Sequence, residues 1–66
     1  MSVAKTIELS AISPTSFDDA IREAIAKSGE SLRNIQGAWV KEQKVVIEDG
    51  DITGFQVMLA LTFVVD

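Results

Sequence analysis

The acidic side chains in the second half of the chain are the residues whose chemistry is easiest to identify. Glu48, Asp49 and Asp51 stand close together, and carboxylate oxygens are the hard ligands that Ca²⁺ prefers. The ligand spacing of an EF-hand loop is absent, and the pair Asp49-Gly50 is better explained by turn chemistry. Glu42 is a further carboxylate, with no partner base. We therefore assign no catalytic and no metal-ligating residue.

Two missing residue types exclude other chemistry. The chain has no Cys and no His, which rules out disulfides, Cys/His zinc sites and Cys or His nucleophile–base pairs. Six basic and ten acidic side chains give a net charge of −4, whereas a nucleic-acid binder would show clustered Lys and Arg. No stretch approaches about 18 apolar residues, and no signal-peptide pattern is evident. We expect a non-enzymatic cytoplasmic protein with neither nucleic-acid nor membrane partners.

The length of the chain limits how it can be stabilised. Its 66 residues predict a single domain over 1–66, since chains divide into domains of roughly 100–200 residues. A domain of about 60 residues buries only about 60% of its unfolded surface, so its core is marginal. Disulfides, metals and oligomerisation are the usual remedies. The composition leaves oligomerisation, and we expect the chain to associate with itself.

The first half of the sequence predicts a strand followed by a helix. Alternating side chains over Val3 to Leu9 indicate the strand. Ser16 is the expected helix N-cap, with Asp19 in the capping-box position. Apolar residues at helical spacing continue past Gly29 to Leu32, which favours a helix over that whole length. The helix face so predicted consists of Phe17, Ile21, Ala24, Ile25, Ser28 and Leu32. The alternative is a helix that stops at a Gly29 C-cap.

The second half predicts a long hairpin. One strand runs from about Ile35 to Glu48, Asp49-Gly50 supplies the positive φ angles of a tight turn, and the last strand runs from Thr53 to Val65. The fold class is therefore α+β, with the order β-α-β-β and one helix packed on one face of a three-stranded antiparallel sheet. The other face of the last strand carries Met58, Ala60 and Val64. Because large apolar patches seldom stay exposed on a monomer, we favour a subunit interface there over scattered surface residues.

Segments along nearly the whole chain resemble the dodecins, a family of small β-α-β-β proteins. These segments are Lys5-Thr6-Ile7-Glu8-Leu9, Ser13-Pro14-Thr15-Ser16-Phe17, Ala20 with Ala24, Ser31-Leu32-Arg33-Asn34-Ile35, Glu42-Gln43, Val46-Ile47-Glu48-Asp49-Gly50, Phe55-Gln56-Val57 and Phe63. Their order and spacing in so short a chain make the combination specific. The resemblance implies a hollow homododecamer and, as in many members, a flavin held between subunits.

The resemblance also implies a binding site with one departure from the family pattern. Flavin-binding dodecins carry a Trp early in the second strand, which stacks on the isoalloxazine ring, and a Gln in the last strand, which faces its pyrimidine edge. Gln56 matches the second position. Gly37 stands at the first, and the only Trp of the chain, Trp39, follows two residues later. Positions 37 and 39 of a strand point to the same face, about 6.6 Å apart.

The candidate cofactor-binding residues are Gly37, Ala38, Trp39, Gln43, Lys44 and Gln56, and the cofactor is riboflavin, FMN or FAD. Trp39 is either a stacking platform shifted by one pleat or a Trp packed in a subunit interface. Gly37 either opens a slot for a flat ring or accommodates the indole. Gln43 and Lys44 either contact a ribityl or phosphate group or are solvated strand residues. We expect flavin storage and sequestration; the alternative is a flavin-free structural cage, associated with calcium or another small ligand.

Overall fold

The computed structural model describes residues 3–65 as three strands and one helix. The order is β1 (Val3–Ser13), α1 (Phe17–Ser28), β2 (Ile35–Glu48) and β3 (Asp51–Val65). The strands form one antiparallel sheet in the order β1-β3-β2, so β3 lies in the centre. The predicted β-α-β-β arrangement, with one helix on one face of the sheet, is confirmed.

The start of α1 follows the prediction, and its end does not. The Asp19 amide donates to Ser16 Oγ at 3.0 Å, which confirms the N-cap. The Asp19 carboxylate accepts from Ser13 Oγ at 2.7 Å and so anchors the helix start to β1. The helix ends at Ser28, with Gly29 as its C-cap, and the predicted continuation to Leu32 is wrong.

Tight turns replace helix beyond Gly29. The amides of Glu30 and Ser31 donate three residues back, to Lys27 and Ser28, which is the way the last carbonyls of a helix are often satisfied. Asn34 then adopts a positive φ of 61° and leads the chain into β2. Leu32 keeps the apolar spacing of the helix because it is a partly buried loop residue, and it does not belong to a further helical turn.

The hairpin turn is confirmed at the predicted dipeptide. Asp49 and Gly50 have φ values of 52° and 82°, and two consecutive positive φ values define the turn that matches the twist of paired strands. The strands extend beyond the predicted bounds: β1 continues past Leu9 to Ser13, and β3 begins at Asp51 instead of Thr53.

The core lies between α1 and the middle of the sheet. Ala20 and Ala24 of the helix meet Val57 and Leu59 of β3, and all four are buried. Small alanine side chains allow the helix to lie close to the sheet. Leu9, Ala11, Phe17, Ile21 and Val40 pack around this cluster.

The isolated chain is elongated. It measures 51 × 20 × 13 Å with a radius of gyration of 13.6 Å, whereas a compact domain of this length has a radius of about 10.8 Å. The helix, at 12 residues, spans about 18 Å and covers only part of the sheet. Apolar side chains beyond its reach, including Val3, Ile47 and Ile52, are more than half exposed. This shape supports the expectation of self-association.

Candidate functional site

A β-bulge in β2 determines which side chains can act together. Val40 lies opposite Leu59 and Glu42 lies opposite Met58, so Lys41 is an extra residue in β2. Because side chains alternate between the two faces of a strand, this extra residue reverses the alternation for the rest of β2. Downstream of the bulge, the even-numbered residue Lys44 shares a face with the odd-numbered Trp39 upstream.

We call the face of the sheet that does not carry α1 the open face. Gln56, Met58, Ala60 and Thr62 of β3 define it, since the alternating residues Val57 and Leu59 pack against the helix. Residues directly opposite on antiparallel strands share a face, and the register of β2 on β3 therefore places each candidate residue.

Four of the six candidate binding residues lie on the open face. Gly37 is opposite Thr62, Trp39 is opposite Ala60, and Lys44 is opposite Gln56. Gly37 and Trp39 therefore share a face, as the sequence predicts.

The other two candidates lie on the face that carries α1. Ala38 is opposite Leu61, and Gln43 is opposite Val57. The structure therefore does not bring Ala38 and Gln43 together with Trp39. An unbroken strand would have placed Gln43 on the same face as Trp39, and no pattern in the sequence reveals the bulge that reverses it; Ala38 faces away from Trp39 by simple alternation.

Trp39 presents most of its indole to solvent. Its side chain is 74% exposed, and the residue opposite it, Ala60, is small and lies between Trp39 and Glu8 of β1 across the three strands. An exposed aromatic side chain whose neighbour across the strand is the small Ala60 is suited to stacking against a flat ring.

The Gln56 end of the open face forms a shallow cavity. Glu42, Lys44, Gln56 and Met58 line it, and its volume is about 110 Å³. Pockets that enclose small organic ligands usually measure about 300–1,000 Å³. One chain therefore supplies only part of a pocket for a three-ring ligand.

Trp39 and Gln56 stand well apart on the same chain. The residue opposite Trp39 is Ala60, four positions from Gln56 along β3, which corresponds to about 13 Å of strand. This separation favours a site in which the two side chains come from facing chains.

Lys41 and Glu8 are open-face residues that sequence reasoning missed. The Lys41 Nζ donates to the Glu8 carboxylate at 2.9 Å, across the central strand. Glu8 raises the pKa of Lys41 above its usual value, first through this hydrogen bond and then through its charge. Only the register of the three strands brings these residues together, since they are far apart in sequence.

A larger groove of about 670 Å³ lies elsewhere, between α1 and β1. Leu9, Ala11 and Ala24 are among its lining residues, and it contains none of Gly37, Trp39, Lys44 or Gln56. Within residues 3–65, no helix is long and apolar enough to cross a membrane.

The described fold is a small β-α-β-β unit whose sheet carries a helix on one face. The Dodecin family model matches residues 3–66, and this chain belongs to the dodecin family. The expectation drawn from the sequence is thereby confirmed.

Individual relatives agree with this assignment. The calcium dodecin of Mycobacterium tuberculosis is 32% identical over 63 residues, which cover 96% of this chain and 89% of that protein. The structure of dodecin from Streptomyces coelicolor superposes with a TM-score of 0.93 at 29% identity, covering 98% of this chain and 93% of the other. The crystal structure of the Mycobacterium tuberculosis calcium dodecin, described with a novel calcium-binding site, has a TM-score of 0.83 at 31% identity, covering 94% of this chain and 89% of the other.

Proposed function

We propose that this protein binds a flavin without transforming it, and that it stores and sequesters the flavin inside a homododecameric cage. The observation that carries this proposal is the exposed Trp39 on the same face as Gln56, on a dodecin subunit. A non-enzymatic role in the cytoplasm, without nucleic-acid or membrane partners, is part of the same proposal.

The proposed site divides its tasks between two kinds of side chain. The Trp39 indole offers a flat surface for the isoalloxazine ring, and aromatic stacking adds to the free energy of simple burial. The Gln56 amide, with both donor and acceptor atoms, suits the carbonyl and N–H edge of the ring. Lys44, opposite Gln56, supplies a cation for a phosphate or a donor for ribityl hydroxyls.

The site is proposed to form between facing chains. The cavity beside Gln56 holds only about 110 Å³, and Trp39 of the same chain pairs with Ala60, about 13 Å farther along β3. Two open faces brought together would enclose the ring between Trp39 of one chain and Gln56 of another. They would also remove exposed apolar surface from water, as the marginal core requires.

The test is a fluorescence titration with riboflavin, FMN and FAD, accompanied by light scattering. We expect flavin quenching and a particle mass near that of twelve chains. Trp39→Ala should weaken binding by about tenfold or more. Val45→Ala is the matched control, because Val45 lies on the same strand opposite Phe55 and faces the other way. Absence of quenching at high micromolar protein would refute flavin binding.

A second candidate function is a flavin-free cage associated with calcium. The observation in its favour is the name of the Mycobacterium tuberculosis relative, calcium dodecin. On this chain the acidic residues Glu48, Asp49 and Asp51 lie in and beside the hairpin turn. No group of three or more Asp, Glu, His or Cys within residues 3–65 is placed to hold a metal ion.

Calorimetric titration with CaCl₂ tests this second candidate. Saturable heat that disappears in Asp51→Asn, together with no flavin quenching, would establish the calcium-associated cage in place of the flavin site. The absence of saturable heat would refute it.

A further inference from the structure

Gly37 is a glycine that the chain itself does not require. Its φ is not positive, unlike that of Gly50, so an L-residue can adopt its backbone conformation. A Cβ built at Gly37 meets no atom within 4 Å. By contrast, a Cβ at Gly54 would meet the Ile12 side chain at 3.1 Å. A register shift of β2 lies between Ile35 and Gly37, but Gly37 does not have the positive φ for which a bulge needs glycine. Packing within the chain also leaves room for a side chain at position 37.

The open face differs on the two sides of the Trp39 indole. Toward one side of Trp39 lie the long side chains of Lys41, Glu42 and Met58. Toward the other side lies Gly37, with Thr62 opposite it. Because Gly37 has no side chain, a flat ring beside the indole can approach the β2 backbone closely on this side.

We propose that the isoalloxazine ring stacks on the Gly37 side of the Trp39 indole, against the backbone of Gly37 and the side chain of Thr62. We call this surface, formed by Gly37, Trp39 and Thr62, the ring seat. This inference rests on the proposed flavin function and specifies where the ring lies. A glycine in a strand permits another group to approach the backbone closely, and any Cβ at position 37 would hold the ring away from that surface.

This arrangement makes position 37 a determinant of binding that is independent of folding. The family pattern places a Trp at this position as the stacking surface, whereas here the ring itself occupies that volume and Trp39 provides the surface. The variant Gly37→Trp therefore distinguishes the two geometries. If the ring occupies the ring seat, the new indole would block it; if the ring stacks as in the family pattern, the new indole would provide the stacking surface.

The experiment compares riboflavin affinity, by fluorescence quenching, among the parent protein and the variants Gly37→Ala, Gly37→Val and Gly37→Trp. We expect Gly37→Ala to weaken binding about tenfold, Gly37→Val to weaken it further, and Gly37→Trp to abolish it. Denaturation midpoints of Gly37→Ala and Gly37→Val should equal or exceed that of the parent. Val45→Ala, on the same strand but on the face that carries α1, is the control and should bind as the parent does.

Three results would overturn the inference or its basis. Affinity unchanged in Gly37→Ala and Gly37→Val, or increased in Gly37→Trp, would refute the ring seat while leaving flavin binding intact. Absence of riboflavin binding by the parent would instead refute the proposed function, and the ring seat with it. Light scattering on every variant identifies loss of assembly; if Gly37→Trp does not assemble, the smaller Ala and Val substitutions decide.

Discussion

The two strands of the hairpin, β2 and β3, are nearly equal in length but have opposite characters. Gly54, Val57, Leu59, Ala60 and Leu61 of β3 are buried, whereas no residue of β2 is. The pairing of β3 with β1 runs from Val3 to Ser13 without a shift. The pairing of β3 with β2 contains three irregularities.

This difference separates stability from binding. The central strand has a neighbour on each side and a helix on one face, so its side chains are fixed by packing. The edge strand has one neighbour and little cover, so it can accept a bulge and an exposed Trp39 without losing a core. The residues proposed to bind flavin are accordingly concentrated on β2, with Gln56 and Thr62 as the contributions of β3.

The largest expected effect comes from removing a core side chain of β3. Leu59 is fully buried against α1, and Leu59→Ala should lower the free energy of unfolding by about 2–5 kcal/mol. Urea denaturation at fixed protein concentration measures this. Val45→Ala on β2 should cost much less, and equal costs for the two variants would contradict the contrast between the strands.

The next effect concerns the turn that joins the two strands. Gly50 has a φ of 82°, and Gly50→Ala should cost about 1–2 kcal/mol because an L-residue is strained there. Gly37→Ala, at an ordinary φ, should be neutral or stabilise by about 0.4–1 kcal/mol through the unfolded chain. Denaturation midpoints of the two variants give the comparison directly. A costly Gly37→Ala would show that β2 is packed within the subunit after all.

A smaller effect is expected at the helix that covers β3. Ser16→Ala removes the acceptor for the Asp19 amide and should cost about 1 kcal/mol. Because α1 packs on β1 and β3, flavin affinity measured by quenching should not change. Parallel loss of stability and affinity would mean that the helix also supports β2.

The smallest effect involves the ion pair that ties β2 to β1 across β3. The pKa of Lys41 is raised by Glu8, so the pair stabilises the folded state fully below the ordinary Lys value of 10.5 and ceases to do so as pH rises through the raised pKa. The parent should therefore lose stability over that alkaline range relative to Glu8→Gln, which lacks the pair. Both side chains are well exposed, so the difference should be slight. Superimposable pH profiles of the two proteins would show that the pair contributes nothing.

Much of the fold was predictable because local rules specify it. Alternation predicted the strands, Ser16 the helix start, and Asp49-Gly50 the hairpin turn. The helix end was missed because Leu32 keeps helical spacing while it lies in a loop. Spacing alone cannot distinguish a partly buried loop residue from another helical turn.

The candidate site was predictable only in part, since it depends on register. Trp39, Gln56 and Lys44 were identified and lie on one face, although their binding role stays a prediction. Lys41 and Glu8 could not be found, because their contact exists only after three strands align. The bulge at Lys41 has no sequence signature, and it is the reason that Gln43 faces away from Trp39.

The register of β1 on β3 also sets the order in which the fold can form. The hairpin of β2 and β3 closes through a turn of two residues, whereas Val3 pairs with Val65 at the opposite end of the chain. Contacts so distant in sequence close late and slowly. Until β1 pairs, the outer edge of β3 can also pair with the first strand of another copy, which is the route to strand exchange. Strand exchange at high protein concentration therefore competes with completion of each subunit, and refolding at lower protein concentration should give less exchanged product.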